Sequence, residues 1–170
     1  MLLRIEKYGA ESLRKVSAPV ESFDRELERI ARDMVETMYG APGIGLAAPQ
    51  VGLNLRLATI DLSVGEDPSQ LIKICNPEIV ASEGEQKSEE GCLSIPGFRE
   101  DVARGKRVTV RAQNAKGETF EQTGEDLLAR AFQHEIDHLF GKLYITHISA
   151  LKRDLIRRKI RKLLKAGEWS

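Results

Sequence analysis

The most constraining feature of this chain is the motif QHEIDH at residues 133–138. Its histidines, His134 and His138, are four residues apart, so on an α-helix both imidazoles project from one face and can reach a single divalent cation. Glu135 between them can then act on a water held by that cation. The motif therefore predicts a central helix that carries a metal centre.

A catalytic metal takes three protein ligands and leaves one position open for water, so a third ligand is needed. Metzincins supply a third histidine, but here Gly141 has the right offset while Tyr144 stands where that histidine belongs, and His147 is out of register. Gluzincins use a glutamate from a later helix, and the acids downstream of the motif are poorly placed. Cys92 is the best remaining ligand, because a thiolate with two imidazoles is a recognised catalytic set.

Length and charge limit the remaining possibilities. With 170 residues the chain is most simply a single domain spanning 1–170, and its net charge of zero gives no bulk attraction to nucleic acid or anionic membrane. Charges at Arg4, Glu6 and Lys7 leave no room for the apolar core of a signal peptide. We therefore expect a cytoplasmic protein, without DNA or membrane binding, in which Cys75 and Cys92 are thiols.

Hydrophobic periodicity and turn residues predict an α+β fold. Helices are expected from Asp24, as N-cap, to about Tyr39, from Thr123, as N-cap, to about Phe140, and over 149–166. Strands are expected at residues 53–61, 71–75, 78–81, 106–113 and 118–122. No βαβ rhythm is present, so we predict mostly antiparallel sheets around the central HExxH helix, plus an N-terminal-half helix and a C-terminal helix.

Three segments together resemble peptide deformylases: residues 43–50 (GIGLAAPQ), residues 90–94 (EGCLS) and residues 133–138 (QHEIDH). They occur in that family's order, and the resemblance spans essentially the whole chain. It implies an α+β hydrolase that removes the formyl group from nascent peptides beginning with formyl-methionine. It also implies that Cys92, His134 and His138 bind the metal, that Glu135 is the general acid/base, and that Gln50 and the Leu93 N–H donate to the substrate oxyanion.

The same resemblance suggests a substrate pocket around the metal. Glu90 is expected to anchor the ligand loop, with Arg104 as its partner. Arg130 stands where the family usually shows an apolar pocket residue, and Gly97-Phe98 replaces a more polar pair. The residues expected to contact substrate are Ile44, Gly45, Gly91, Arg99, Leu127 and Ala131, although Leu127 also fits a plain core position and Arg99 a solvated one.

The metal and the partners are less constrained. Cys/His/His suits ferrous iron, zinc, nickel or cobalt, and the resemblance favours Fe²⁺. The basic, amphipathic helix over 149–166 predicts either a solvated surface helix, contact with the ribosome, or membrane-surface binding; we expect ribosome contact by a monomer. Two other functions stay open from the sequence: a general zincin peptidase, and a non-enzymatic ribosome-binding module with a structural zinc.

Overall fold

Three helices and seven strands make up the fold in the computed structural model, which describes residues 1–169. The helices are α1 (Arg25–Gly40), α2 (Asp126–Leu139) and α3 (Ala150–Lys165). The strands are β1 (Gly45–Ala47), β2 (Leu57–Ile60), β3 (Ile72–Glu83), β4 (Gln86–Cys92), β5 (Ile95–Arg104), β6 (Arg107–Gln113) and β7 (Thr119–Glu125). In the part of the chain that is described, no helix is both long and apolar enough to span a bilayer.

The strands form two antiparallel sheets. The larger has the order β1-β2-β3-β6-β7, and the smaller is the hairpin of β4 and β5. The fold is therefore α+β with antiparallel sheets, as the sequence predicts. The β4–β5 hairpin was not predicted, because β4 reads QKSEEGC and lacks an apolar alternation.

Helix α2 packs on the large sheet through one face and carries the two histidines on another. Ala129, Phe132, Ile136 and Leu139 recur at helical spacing and pack on the five-stranded sheet in one apolar cluster. Ala131, His134 and His138 project from another face, which adjoins the β4–β5 hairpin. Burial of the first face against the sheet thus fixes the direction in which the second face presents its imidazoles.

The sequence predicts the N-cap of α1 correctly but not that of α2. Asp24 caps α1 as expected, since its carboxylate accepts a 3.0 Å bond from the Leu27 N–H. Thr123 does not cap α2: β7 continues to Glu125, and the Thr123 hydroxyl pairs with Thr109 on β6 at 2.8 Å. Pairing with β6 therefore displaced the helix start by two residues.

The predicted strands are also shifted in length. Only residues 57–60 of the predicted strand over residues 53–61 are extended in a sheet, and the two predicted strands at 71–75 and 78–81 are one continuous strand, β3. Irregular register between Cys75 and Glu78 marks where Asn76-Pro77 interrupts the ladder without ending it.

Helix α3 packs through a narrower stripe than its sequence suggests. Ile156 and Ile160 are buried in a third apolar cluster with Ile95 and Val102 of β5 and Trp169 of the C-terminal tail. The helical spacing of the apolar residues predicts that the same stripe also contains three leucines, but these are exposed: Leu151, Leu155 and Leu164. Consequently α3 presents leucines as well as basic side chains to solvent.

Candidate metal centre

Three candidate metal-binding atoms converge where α2 meets the β4–β5 hairpin. The Nε2 atoms of His134 and His138 are 3.2 Å apart, and Cys92 Sγ is 3.4 Å from His138 Nε2. All three atoms lie within 4.8 Å of one another, and both histidines are buried. The cysteine that ends β4 and the two histidines of α2 are 42 or more residues apart in sequence, yet their donor atoms meet at one point in space.

This donor set fits a catalytic transition metal. Bonds of about 2.0–2.1 Å to nitrogen and 2.3 Å to sulfur, in tetrahedral geometry, require donor separations of about 3.3–3.6 Å, close to those found here. Three protein donors leave a fourth position open, which is the arrangement of catalytic rather than structural sites.

Glu90 orients one of these imidazoles. Its side chain is 5% exposed, and Oε1 accepts a 2.6 Å bond from His134 Nδ1, which leaves the His134 Nε2 lone pair facing Cys92 and His138. Arg104 binds both oxygens of Glu90, at 2.6 and 3.1 Å, and is the partner expected from the sequence. Arg130 adds a third donor at 2.5 Å. His138 Nδ1 has no such partner within residues 1–169.

Burial and neighbouring charges shift the pKa values of Glu90, His134 and His138 away from their ordinary values. Burial raises the pKa of Glu90, but the bonds from His134 and Arg104 outweigh burial and hold that pKa far below its usual range. For His134, burial lowers the pKa, and the nearby Glu135, Cys92 and Glu90 reverse the effect and raise it. For His138, burial and then the charge of His134 lower the pKa, which keeps its imidazole neutral.

Glu90→Gln should weaken both metal binding and the fold. The change leaves Arg130 without its carboxylate partner and Arg104 with Asp137 alone. The free energy of unfolding should therefore fall by about 3–5 kcal/mol, measured by urea denaturation. Metal affinity should fall by about 10–100-fold, measured by competition with a chromophoric chelator. The matched control is Glu89→Gln, because Glu89 pairs with Arg99 on the surface and should contribute at most about 1 kcal/mol. Equal losses in the two variants would contradict this account of Glu90.

Glu135 lies beside the three donors because residue 45 is glycine. A Cβ at Gly45 would lie 2.4 Å from Glu135 Oε2 and 2.9 Å from its Cδ. Glu135 is 4% exposed, its Oε1 has no hydrogen-bond partner in the described chain, and burial raises the pKa of its carboxyl to about 7. A carboxyl with that pKa can both accept and release a proton near neutral pH.

Gly45→Ala should therefore displace the Glu135 carboxylate. Displacement of a reacting group by about 1 Å can cost on the order of 100-fold in rate, so we expect kcat/KM to fall by about that factor. Gly40→Ala is the matched control, since its Cβ would meet only Leu2 at 3.4 Å, an ordinary contact. If Gly45→Ala kept full activity, the close approach would have no catalytic importance.

Gln50 reaches the same point from the other side. Its amide Nε2 donates to Ser94 Oγ at 3.1 Å and points at Cys92 Sγ at 3.5 Å, while its Oε1 accepts from the Ala47 N–H at 3.0 Å. The glycine-rich segment over residues 40–52 thus forms β1 and a short 3₁₀-helix that aim the Gln50 amide into the site. Leu93 follows Cys92 in the tight turn between β4 and β5.

A cavity of about 560 Å³ opens onto these groups. Leu127 is 49% exposed within it, so it is a wall residue and not part of the core. Arg99 also lines the cavity, and its Nε donates to Glu89 at 2.6 Å. All six expected substrate-contacting residues line this cavity: Ile44, Gly45, Gly91, Arg99, Leu127 and Ala131.

The contacts of several residues near the site were missed from the sequence. Arg130 is 4% exposed and directs Nη1 at Glu90, so a charged residue at an apolar position is explained by a buried ion pair. Ser94 accepts from Gln50, and a polar residue directly after Cys92-Leu93 was the available signal for it. Tyr144 stacks near His134, with ring centroids 6.4 Å apart.

Comparison with known proteins identifies the family. The family model described as polypeptide deformylase matches residues 2–154. The chain belongs to the peptide deformylase family. A peptide deformylase of Acidobacterium capsulatum is 57% identical, with 99% of both chains covered. Crystal structures of peptide deformylases from Legionella pneumophila and Thermus thermophilus superpose with TM-scores of 0.92 and 0.90, at 47% and 38% identity, covering 98% or more of each chain.

Membership of the peptide deformylase family establishes the activity. The chain is an enzyme, a metal-dependent hydrolase that removes N-formyl groups from nascent peptides. Family membership also sets aside the two alternatives that the sequence alone left open, the general zincin peptidase and the non-enzymatic module with a structural zinc.

Proposed function

We propose that Cys92, His134 and His138 hold one divalent metal ion and that Glu135 moves the proton in deformylation. The observation that carries this assignment is the convergence of three donor atoms within 4.8 Å beside a buried carboxyl group. Cys92, His134 and Glu135 line the cavity, so a formylated N-terminus has access to these three side chains, with the buried His138 behind them.

Each residue then has one chemical task. When bound, the ion supplies Lewis acidity that activates water at neutral pH. Glu135 accepts the proton of the attacking water and delivers it to the methionine nitrogen as the formyl C–N bond breaks, so that formate and a free amine leave. Gln50 Nε2 and the Leu93 N–H donate to the formyl oxygen while it carries negative charge, and loss of one such donor costs about 10²–10³ in rate.

The cavity walls suit a methionine side chain. Ile44, Leu127 and Ala131 supply apolar surface, while Gly45 and Gly91 let the backbone approach the small formyl group. Arg99 is placed further out, where its guanidinium can meet the backbone of the peptide.

We propose Fe²⁺ as the bound ion, with Zn²⁺, Ni²⁺ or Co²⁺ as alternatives for the same donors. The assignment rests on the family resemblance and on the mixed thiolate and imidazole set. Protein purified without air should release formate from formyl-Met-Ala and carry one iron per chain by elemental analysis. Active protein that carried zinc, nickel or cobalt in place of iron after this purification would contradict the assignment.

We also propose that α3 docks on the ribosome, where nascent chains emerge. The helix carries eight basic residues and one acidic residue, although the whole chain is neutral. Arg158, Lys162 and Lys165 are exposed and continue one helix face from the exposed Leu151 and Leu155. Such a face suits the phosphates of ribosomal RNA.

Reversing charge on α3 tests the docking better than truncation does, because truncation would uncover Ile156, Ile160 and their neighbours in the core. Arg158→Glu with Lys162→Glu should reduce ribosome co-sedimentation by about tenfold at 100 mM salt, since two phosphate contacts are lost. Activity on formyl-Met-Ala should stay unchanged. The control reverses two exposed lysines elsewhere, Lys87 and Lys116. Unchanged co-sedimentation of the α3 variant would remove the proposal.

The remaining expectations follow from this function. We propose that residues 1–170 form one catalytic domain, that the enzyme acts as a monomer, and that it works in the cytoplasm, where peptide synthesis supplies its substrate. Its mass in solution by light scattering would test the monomer.

A further inference from the structure

Phe98 is an apolar side chain at a position where a polar one was expected. It lies on β5 between the buried Ile95 and the exposed Arg99, it is half-buried, and it lines the cavity. The β4–β5 register pairs Gly91 with Arg99 and Cys92 with Ile95. Phe98 therefore lies along the hairpin from Cys92 toward solvent, beyond the part of the cavity that receives the formyl group.

Trp169 explains why an aromatic ring is stable there. Its indole is 6% exposed and meets Phe98 edge to face, with ring centroids 6.2 Å apart and an interplanar angle of 64°. Such a pair gains stability from its geometry as well as from burial. The family match ends at residue 154, so this tail contact lies outside the segment that it covers.

The indole is held in place by Tyr8, which is itself bonded to Ser94. Trp169 Nε1 donates to the Tyr8 carbonyl at 3.0 Å, and the Tyr8 N–H donates to the Ser94 carbonyl at 2.8 Å. Gly167, with φ of +72°, reverses the chain after α3 and brings the tail back to β5. Tyr8 thus joins the tail to the turn that carries Leu93 and Ser94.

The charged side chains near Phe98 pair with each other, so they do not favour a charged substrate side chain at this wall. Arg99 and Glu89 pair with each other at 2.6 Å, which leaves the rim locally neutral. Leu93 and Leu127 line the same cavity and extend the apolar surface. Since an extended peptide advances about 3.3–3.6 Å per residue, the residue after methionine comes to lie near this outer wall.

We propose that Phe98, backed by Trp169, contacts the side chain of the substrate residue that follows methionine and selects an apolar or aromatic residue there. This inference rests on the proposed placement of the formyl group at Cys92, His134 and His138. It makes Phe98 a specificity-determining residue and Trp169 a positioning residue.

The first experiment compares two substrates. The ratio of kcat/KM for formyl-Met-Phe-amide to that for formyl-Met-Gly-amide should be about tenfold in the unmodified enzyme, the usual gain from one apolar contact. Phe98→Ala and Trp169→Ala should bring the ratio close to one, while Phe98→Leu and Trp169→Phe should retain part of it. An unchanged ratio in Phe98→Ala overturns the proposal, and an unchanged ratio in Trp169→Ala overturns the role of the tail.

A second measurement does not depend on turnover. Trp169 is the single tryptophan of the chain, so its fluorescence reports directly on this wall. Met-Phe-amide, a reaction product, should change the emission with a Kd about tenfold lower than that of Met-Gly-amide, and Phe98→Ala should abolish the difference. If formate release failed but this difference persisted, the site assignment would fall while selection by Phe98 would stand. Equal Kd values for the two products would overturn selection by Phe98.

Discussion

Replacing Glu135 with glutamine should lower kcat/KM for formyl-Met-Ala by about 10²–10⁴-fold without changing metal content. The amide has nearly the same shape as the carboxyl group, but it can neither take a proton from water nor return one to the amine. Because Glu135 is not one of the three converging donors, the ion should stay bound. Formate release and elemental analysis on the same preparation measure both quantities.

The matched control is Glu66→Gln, an exposed glutamate in the loop before β3, which should retain full activity. Loss of metal together with activity in Glu135→Gln would show that Glu135 supports the ion instead of moving a proton. Full activity in that variant would remove it from the chemistry altogether.

The same variant should be more stable in metal-free form. Burial raises the pKa of Glu135 from 4.5 to about 7, so the folded chain holds a proton in that pH window that the unfolded chain has released. The free energy of unfolding then falls as pH rises from about 4.5 to 7. Glutamine cannot ionise, so Glu135→Gln should raise the free energy of unfolding at pH 8 by about 3 kcal/mol, measured by urea denaturation with a chelator present.

Cys92→Ala should abolish tight metal binding and formate release together. Two imidazoles alone hold a divalent ion weakly, and the thiolate is the only charged donor among the three. Loss of a residue that only supports a ligand by a hydrogen bond can lower metal affinity by about 100-fold. Because Cys92 is itself a ligand in this proposal, we expect its loss to lower metal affinity by more than that. Competition with a chromophoric chelator measures it.

Cys75→Ala separates the metal site from a general effect of losing a thiol. Cys75 is fully buried in the core beneath α1, where burial raises its pKa to about 11, so it is a packing residue. The control should lose a little stability and keep its metal and activity. Metal binding that survived Cys92→Ala would mean that another residue supplies the third ligand.

The candidate residues of the metal site were easier to predict than the contacts around them. His134, Glu135 and His138 follow from spacing on a single helix, which is a local property. The ion pair of Arg130 with Glu90 joins α2 to β4 across 40 residues, and an arginine at a helix position carries no sign of its partner. Phe98 likewise appeared anomalous until the position of Trp169 was known.

The fold shows the same division. Helix α1 was predicted because its cap and apolar stripe lie within the helix itself. The predicted start of α2 was wrong because β7 continues past Thr123, where a tertiary contact, its pairing with β6, stabilises it. The β4–β5 hairpin was not predicted because β4 is polar and is stabilised by its pairing with β5.

The bond from His134 to Glu90 also bears on how the enzyme would acquire its ion. Glu90, which is itself bound by two arginines, already orients His134 toward Cys92, so we expect the metal-free chain to stay folded. Zinc fingers, by contrast, are unfolded until they are loaded. We therefore expect one ion to exchange for another of similar size in the folded protein, so that the catalytic rate in a growing cell would follow the supply of each metal.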